Sequence, residues 1–464
     1  MNDTLAATLG DPVAELERRF PYAAVLLSGS SGMRINDTGG EQSANEVSPA
    51  RGAVFTVYDG TAFQEYATGD LEPDTLARDV RAWAAGVTPQ SGGAPPAIGA
   101  AGTAGSRLIE EFRTEGEVAP GTVPLREKLA VIRDVQQRLK ALDPRIVQAR
   151  VIYGDATDEK LYIGRGRTLR QRVTRTVCGV LAAVSDGAQV RFHFESFGGT
   201  RGFEMTRIGD EQLRAVADMA LRLLEAGKIE PGEYDVVTDP SISGVIAHES
   251  FGHGVELDLF PKGRARAAQY LDRQVASPLL NMYDDPSYPG GYGSYFFDDE
   301  GELARPVQIL RDGVFVRPIS DLASATLAPG VHTPNGRRQD YSRKTFARMS
   351  NTFFAAGQTP PAQLFEGIER GVYLRFAQSG VEDPMGWGIQ VTARVGEEIR
   401  DGALTGTLYA PVGISGYVPD VLMSVSAVGS DFELSGAATC GKGHKELVPV
   451  SSGGPHLRLK ARLA

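Results

Sequence analysis

Residues 245–258 read VIAHESFGHGVELD, placing His248 and His253 five positions apart, Glu249 directly after the first and Glu256 and Asp258 just beyond. Two imidazoles can help to hold a divalent metal, and a carboxylate that is not itself a ligand can take a proton from water. That is much of what a metal-dependent hydrolase needs. The usual zinc-protease helix spaces its histidines four apart, whereas a spacing of five on a regular helix turns the second about 140° away from the first. A straight helix would therefore point them apart. Gly252 and Gly254 flank His253 and let the backbone bulge or overwind, so a distorted helix with a π-type turn is expected.

The rest of the chain must position this segment. With 464 residues it exceeds the usual size of one domain, and a boundary near residue 230, at IEPGEYD, divides it into an N-terminal part, 1–230, and a C-terminal part, 231–464. In the first part, DPVAELERRF predicts a helix starting at Asp11-Pro12, AAVLLSGSSGM a buried strand and turn, and residues 123–143 and 210–228 amphipathic helices. Between those two helices, RIVQARVIYGD, KLYIGRG, RQRVTRTVCGVLAAV and AQVRFHFESFGG alternate apolar with polar and read as an antiparallel sheet of consecutive hairpins. Residues 86–106, rich in Gly, Pro and Ala, read as a flexible surface loop. The second part carries the histidine segment on a helix, a further helix at PPAQLFEGIERG, and otherwise short strands with Gly and Asp turns, in keeping with 55 glycines. The expected fold class is α+β: an α/β-textured N-terminal domain with an antiparallel sheet and helices, and a β-rich C-terminal domain carrying the distorted helix.

Charge and composition exclude several functions. A net charge of −10 disfavours a phosphate-binding surface, so no nucleic-acid partner is expected. No apolar run reaches the ~18 residues that span a bilayer, and the opening residues lack a basic then apolar leader, so no membrane association and a cytoplasmic location are expected. The two cysteines, Cys178 and Cys440, are too few for a disulfide framework. Cys178 sits in a strand-like run and is expected to be packed, and His193 alternates with phenylalanines as a sheet residue. His332 and His456 lie beside loop signals without a visible partner. Glu256 and Asp258 could orient the histidines or simply cap and solvate the segment. Arg337 and Arg338 could grip a peptide carboxylate or backbone, or pair with Asp340.

HESFGHGVELD is similar to the His-Glu-x-x-x-His-Gly-x-Glu-x-Asp signature of the TldD/PmbA metallopeptidase family, in its TldD-type catalytic branch; the PmbA branch lacks it. The likeness continues through DDEG at 298–301, NGRRQDYSRKTFARMSNTF at 335–353 and CGKGHKELVPVSSGGPHLRLK at 440–460, and LYIGRG and FESFGGTRGFE also fall in the expected places. The first hundred residues resemble the family less. The resemblance implies a zinc ion held by His248, His253 and Cys440, with Glu249 as general base, in a dimer whose two chains enclose the site. The dimer would be a homodimer or a heterodimer with a PmbA-type chain, and the substrates small peptides or unfolded protein. Where the family commonly continues Gly-Lys-x-Gly-Gln after the cysteine, this chain has His444 and Lys445 in place of Gly and Gln. His444 is therefore a candidate substrate contact. Two alternatives compete with a zinc peptidase: a peptide-binding subunit without turnover, and a thiol hydrolase with Cys440 as nucleophile and His444 as its base.

Overall fold

A computed structural model describes residues 3–47, 50–91, 108–328, 332–443 and 446–464. Residues 92–106 of the Gly/Pro/Ala-rich segment, with His444 and Lys445, lie outside them. The alternating runs of the first half form one sheet from Tyr22–Asp37 (β1), Gln42–Glu46 (β2), Arg51–Tyr58 (β3), Phe63–Thr68 (β4), Leu108–Arg113 (β5), Ile146–Gly164 (β6), Arg167–Ser185 (β7) and Val190–Gly199 (β8). Its main path runs β4-β3-β1-β6-β7-β5, with β2 beside β1 and β8 beside β7. Pairing is antiparallel except for β5 on β7.

Two expectations are corrected here. RIVQARVIYGD and KLYIGRG are not separate strands but one strand of 19 residues. Asp155, which ends the first of those runs, sits mid-strand opposite Met33 and Thr176, and its carboxylate accepts hydrogen bonds from Lys128 (2.8 Å) and Tyr153 (2.7 Å). Local turn chemistry loses to pairing on both edges. The first helix, Asp3–Glu17 (α1), runs through Pro12 rather than starting there. Its apolar face, Leu9, Val13 and Leu16, continues across the proline, so burial outweighs the missing N–H.

Alternation along β1 decides what covers each face. Ala23, Val25 and Leu27 pack under α1 and the helix Pro73–Gly86 (α2), whereas Tyr22, Ala24 and Leu26 face Phe297 and Leu322 from the second half. Leu125–Lys140 (α3) and Asp210–Arg222 (α4) cover β6 and β7 through Ile132, Val135, Leu213 and Val216. Arg167, Gln171 and Arg175, spaced four apart and so on one side of β7, donate to the carbonyls of Gly301 (2.7 Å), Phe297 (2.9 Å) and Tyr292 (2.7 Å). The two halves are thus joined by apolar packing and by satisfied backbone carbonyls.

The second half holds two main sheets. The strands Gly232–Thr238, Leu457–Leu463, Val412–Tyr417, Gly388–Arg400 and Arg370–Asp383 pair in that order, and Arg370–Asp383 returns in parallel to Gly232–Thr238, closing a barrel-like ring. The other sheet runs through Val307–Arg311, Met282–Asp284, Asn351–Phe354, Glu446–Gly454 and Glu433–Lys442. Not all strands of the second half are short, since Arg370–Asp383 and Gly388–Arg400 form a long hairpin in the barrel-like sheet. PPAQLFEGIERG is only a short 3₁₀ turn, Pro361–Phe365, because Gly367, at φ 72°, ends it before the strand from Arg370.

The helix Pro240–Ala247 (α5) lies between these sheets. Asp239 caps it, accepting from the N–H of Ile242 at 2.8 Å, and Pro240 takes the first helical position, where no N–H is needed. Gly244 lets it approach the Glu446–Gly454 strand, since a Cβ there would fall 2.4 Å from the Gly453 nitrogen. The chain is a mixed α+β fold, rich in sheet, as expected.

Candidate metal centre

After Ala247 the helix widens. Residues His248–Gly252 form a π-turn, followed by a 3₁₀ turn, His253–Val255. The N–H of His253 bonds the carbonyl of His248, an i to i+5 closure that puts the two side chains on the same side, as an α-turn does at a spacing of four. Their rings lie 5.2 Å apart and perpendicular. The Ser250 hydroxyl donates to the carbonyl of Ile246, giving a partner to a backbone oxygen in the widened turn. Gly252 is required by packing, because a Cβ there would fall 2.1 Å from the Met349 sulfur.

The third group arrives from far along the chain. Cys440, on the strand Glu433–Lys442, places its Sγ 3.3 Å from Nε2 of His253. One ligand atom from each of His248, His253 and Cys440 lies within 4.8 Å of the others. Arg348 fixes the cysteine backbone by donating to the Cys440 carbonyl at 2.6 Å and to that of Glu446 at 3.2 Å. Burial alone would raise the Cys440 thiol, but hydrogen bonds and charge from His248 and His253 overcome it and hold the thiol well below its usual range. Burial likewise opposes a charged His253, yet Glu256 and Cys440 hold it well above a free imidazole. Two imidazoles and a thiolate at this separation suit zinc, whose ~2.0–2.3 Å bonds at tetrahedral angles set ligand atoms about 3.3–3.8 Å apart. The donor set fits the metal.

The surrounding acids divide by role. Glu256 places Oε2 3.5 Å from Nδ1 of His253 and 2.9 Å from Lys442, the usual position for a carboxylate that orients a ligating imidazole. Asp258 does not face a histidine; it pairs with Lys442 at 2.6 Å and so supports Glu256 indirectly. Glu249 is half-buried beside the strand Arg370–Asp383, where Gly380 leaves room for it: a Cβ at Gly380 would lie 2.4 Å from the Glu249 Cγ. Among the described residues Glu249 has no hydrogen-bond or ion-pair partner, so its carboxylate is available to a substrate or to water.

Other sequence candidates lie elsewhere. Arg337 and Arg338 are engaged within the chain and do not pair with Asp340. Both are buried. Arg337 donates to the carbonyls of Met349 and Pro449, and Arg338 to Glu65 (2.6 Å) and the carbonyl of Arg343 (2.9 Å). Cys178 is packed in the sheet, its thiol pushed up to about 12 by burial. His193 is a buried sheet residue 3.0 Å from Glu195. Burial lowers His332 to about 4, and His456 bridges Asp431 (2.7 Å) and Tyr373 (2.8 Å).

The sequence reading missed Lys442, Arg348 and Glu382. Lys442 lies in the CGKG run, but nothing local shows which acids it meets. Glu382, two residues after Gly380, comes against Gly254, whose Cβ would fall 2.7 Å from the Glu382 Oε1. Neither carboxylate oxygen finds a hydrogen-bond partner of good geometry. Burial, followed by the charges of Glu249 and Glu256 and against that of His253, holds the Glu382 carboxyl well above the ordinary range.

Comparison with known proteins gives the family of the chain. Residues 231–462 match the PmbA/TldA metallopeptidase C-terminal domain and residues 119–227 its central domain. A metalloprotease of Methanothermobacter thermautotrophicus is 33% identical over 77% of this chain and 78% of its own length. A zinc metalloprotease TldD homolog of Saccharolobus solfataricus is 26% identical over 72% of this chain and 75% of its own. The crystal structure of TldE from Thermococcus kodakarensis superposes with a TM-score of 0.70 at 15% identity, covering 98% of this chain and all of that one, which shows a shared fold. Matched across both domains and over most of its length, the chain belongs to the TldD/PmbA metallopeptidase family.

Proposed function

We propose that this chain is a zinc-dependent peptidase of the TldD type that hydrolyses small or unfolded peptides, with His248, His253 and Cys440 as ligands and Glu249 as general base. One observation carries the reading: a π-turn and a strand 187 residues away bring two imidazoles and a thiol together beside an unengaged glutamate. When bound, zinc supplies Lewis acidity to the scissile carbonyl and acidity to water. Glu249 takes the proton of the attacking water and passes it to the departing amine, a role typically worth ~10²- to 10⁴-fold in rate. Glu256 and Lys442 hold His253 in one orientation, and Arg348 holds the Cys440 backbone. The division at residue 230 then separates a supporting N-terminal domain from the domain that carries the chemistry. A dimer, either a homodimer or one with a PmbA-type chain, would enclose the site and admit extended peptides while excluding folded proteins.

The experiment is chelation. Exhaustive metal removal should abolish hydrolysis of an unfolded peptide, and zinc should restore it. Full activity without metal would sink the reading. The contact between Cys440 and His253 also supports a second reading, a thiol hydrolase with His253 as base in place of His444. Under it, alkylating Cys440 would inactivate the metal-loaded protein.

A further inference from the structure

We propose that Glu382 is a subsite for a primary ammonium group of the peptide substrate, lying beside the metal centre and selecting for positive charge there. This rests on the peptidase reading and adds the substrate chemistry. Glu382 and Gly380 are two apart on one strand and so face the same way, toward the widened helix. Their contacts are reciprocal. Gly380 makes room for the side chain of Glu249, and Gly254 makes room for the carboxylate of Glu382. Two glutamates, one from each element, are thereby set near each other beside the candidate metal centre.

Both differ in company from the other two acids here. Glu256 and Asp258 share Lys442, and Glu256 also meets His253, whereas Glu249 has no cationic partner among the described residues. Glu382 has no ion-pair partner among the described residues, and its buried oxygens have no hydrogen bond of good geometry, only the Gly254 N–H acting on them. Burial disfavours the charged form of Glu382 while it lacks a cation, and an arriving ammonium that pairs with it favours that form. An ammonium suits the position, since it is compact and donates up to three hydrogen bonds. The residue as a whole is only half-buried, so a side-chain rotation, rather than an opening of the fold, brings its carboxylate to a ligand. The exposed apolar side chain of Met385, in the turn of the same hairpin, offers surface to the adjoining part of a peptide.

A peptide carries an ammonium either at its N-terminus or on lysine. The test uses zinc-loaded Glu249→Gln protein, which binds without turnover, titrated with one lysine-containing peptide in three forms: unmodified, N-acetylated and ε-acetylated. Blocking one of the two amines should weaken binding by ~10-fold or more, as expected for a lost charge-assisted contact, and the form affected identifies the source. Adding Glu382→Gln should erase that difference while leaving the affinity of the blocked peptide unchanged, and Glu382→Asp should retain part of it. Equal affinity for all three forms would overturn the inference, as would a Glu382→Gln effect that falls equally on charged and blocked peptides. Wild-type protein separates the two readings. Zinc-dependent cleavage without amine preference defeats the subsite alone, whereas amine-selective binding without cleavage of any peptide defeats the peptidase reading alone.

Discussion

Two buried polar clusters of this molecule look alike in composition and differ in completeness. Where the two halves meet, and in the sheet behind, three aspartates, Asp284, Asp298 and Asp299, are saturated. Asp284 accepts from Asn335, from Ser350 through both its N–H and its hydroxyl, and from Thr352. Asp298 accepts from the N–H groups of Glu300, Glu302 and Gly336, and Asp299 from Lys160 and the N–H of Arg338. At the metal centre the acids are left short: both oxygens of Glu382 and one of Glu256 accept no hydrogen bond of good geometry. A saturated network holds a fold in place, whereas a centre with spare acceptors is built to receive something else.

The sharpest way to break this contrast is Glu249→Gln. The amide keeps the shape but cannot take a proton, so turnover should fall by at least ~10²-fold while zinc stays bound. Metal analysis showing zinc lost along with activity would instead make Glu249 a ligand. Cys440→Ala should lower both zinc content and activity, because two histidines remain. Gly380→Ala adds a methyl group against Glu249 and should lower kcat by roughly tenfold, since displacing a positioned base by about 1 Å costs rate without removing it. Its zinc content should not change. On the saturated side, Asp284→Ala strands four donors and should cost roughly 2–4 kcal/mol in denaturant unfolding while leaving zinc affinity alone. A variant that lost zinc at equal stability would erase the distinction between the clusters.

A smaller effect compares the two cysteines. In metal-free protein, iodoacetamide should label Cys440 at a rate that holds as pH falls through the ordinary thiol range and drops only at its own lower pKa. Cys178, pushed up to about 12, should stay unlabelled, and zinc should protect Cys440. The stability signs follow. The depressed Cys440 contributes stability above the ordinary thiol pKa and loses it as pH falls through its folded value. The raised His253 contributes below the ordinary imidazole pKa and loses it as pH rises through its folded value. Metal-free protein should therefore weaken toward both extremes, as read by urea midpoints across pH.

How much of this could be read from sequence depends on distance along the chain. The π-turn was legible because spacing five, with glycines on either side of His253, leaves a regular helix no way to align both rings. The α+β class was legible from alternation. Helix ends and strand lengths were not, since Asp155 and Pro12 carry strong local signals that pairing and burial override. Arg337 and Arg338 looked available because a sequence does not show which carbonyls lie overhead. Glu382 was invisible for the same reason: its meaning comes from Gly254, more than a hundred residues earlier.

The long interval between the donors also has a consequence in time. His253 and Cys440 are 187 residues apart, and the strand that completes the barrel-like ring, Leu457–Leu463, comes later still. At ~5–20 residues per second of synthesis, Cys440 emerges from the ribosome roughly 10–40 s after His253. During that interval the nascent chain has Glu249 and two imidazoles but not the thiol. On the peptidase reading, the candidate centre is complete only as the ring around it closes, and an unfinished chain would not be equipped to degrade its neighbours or itself.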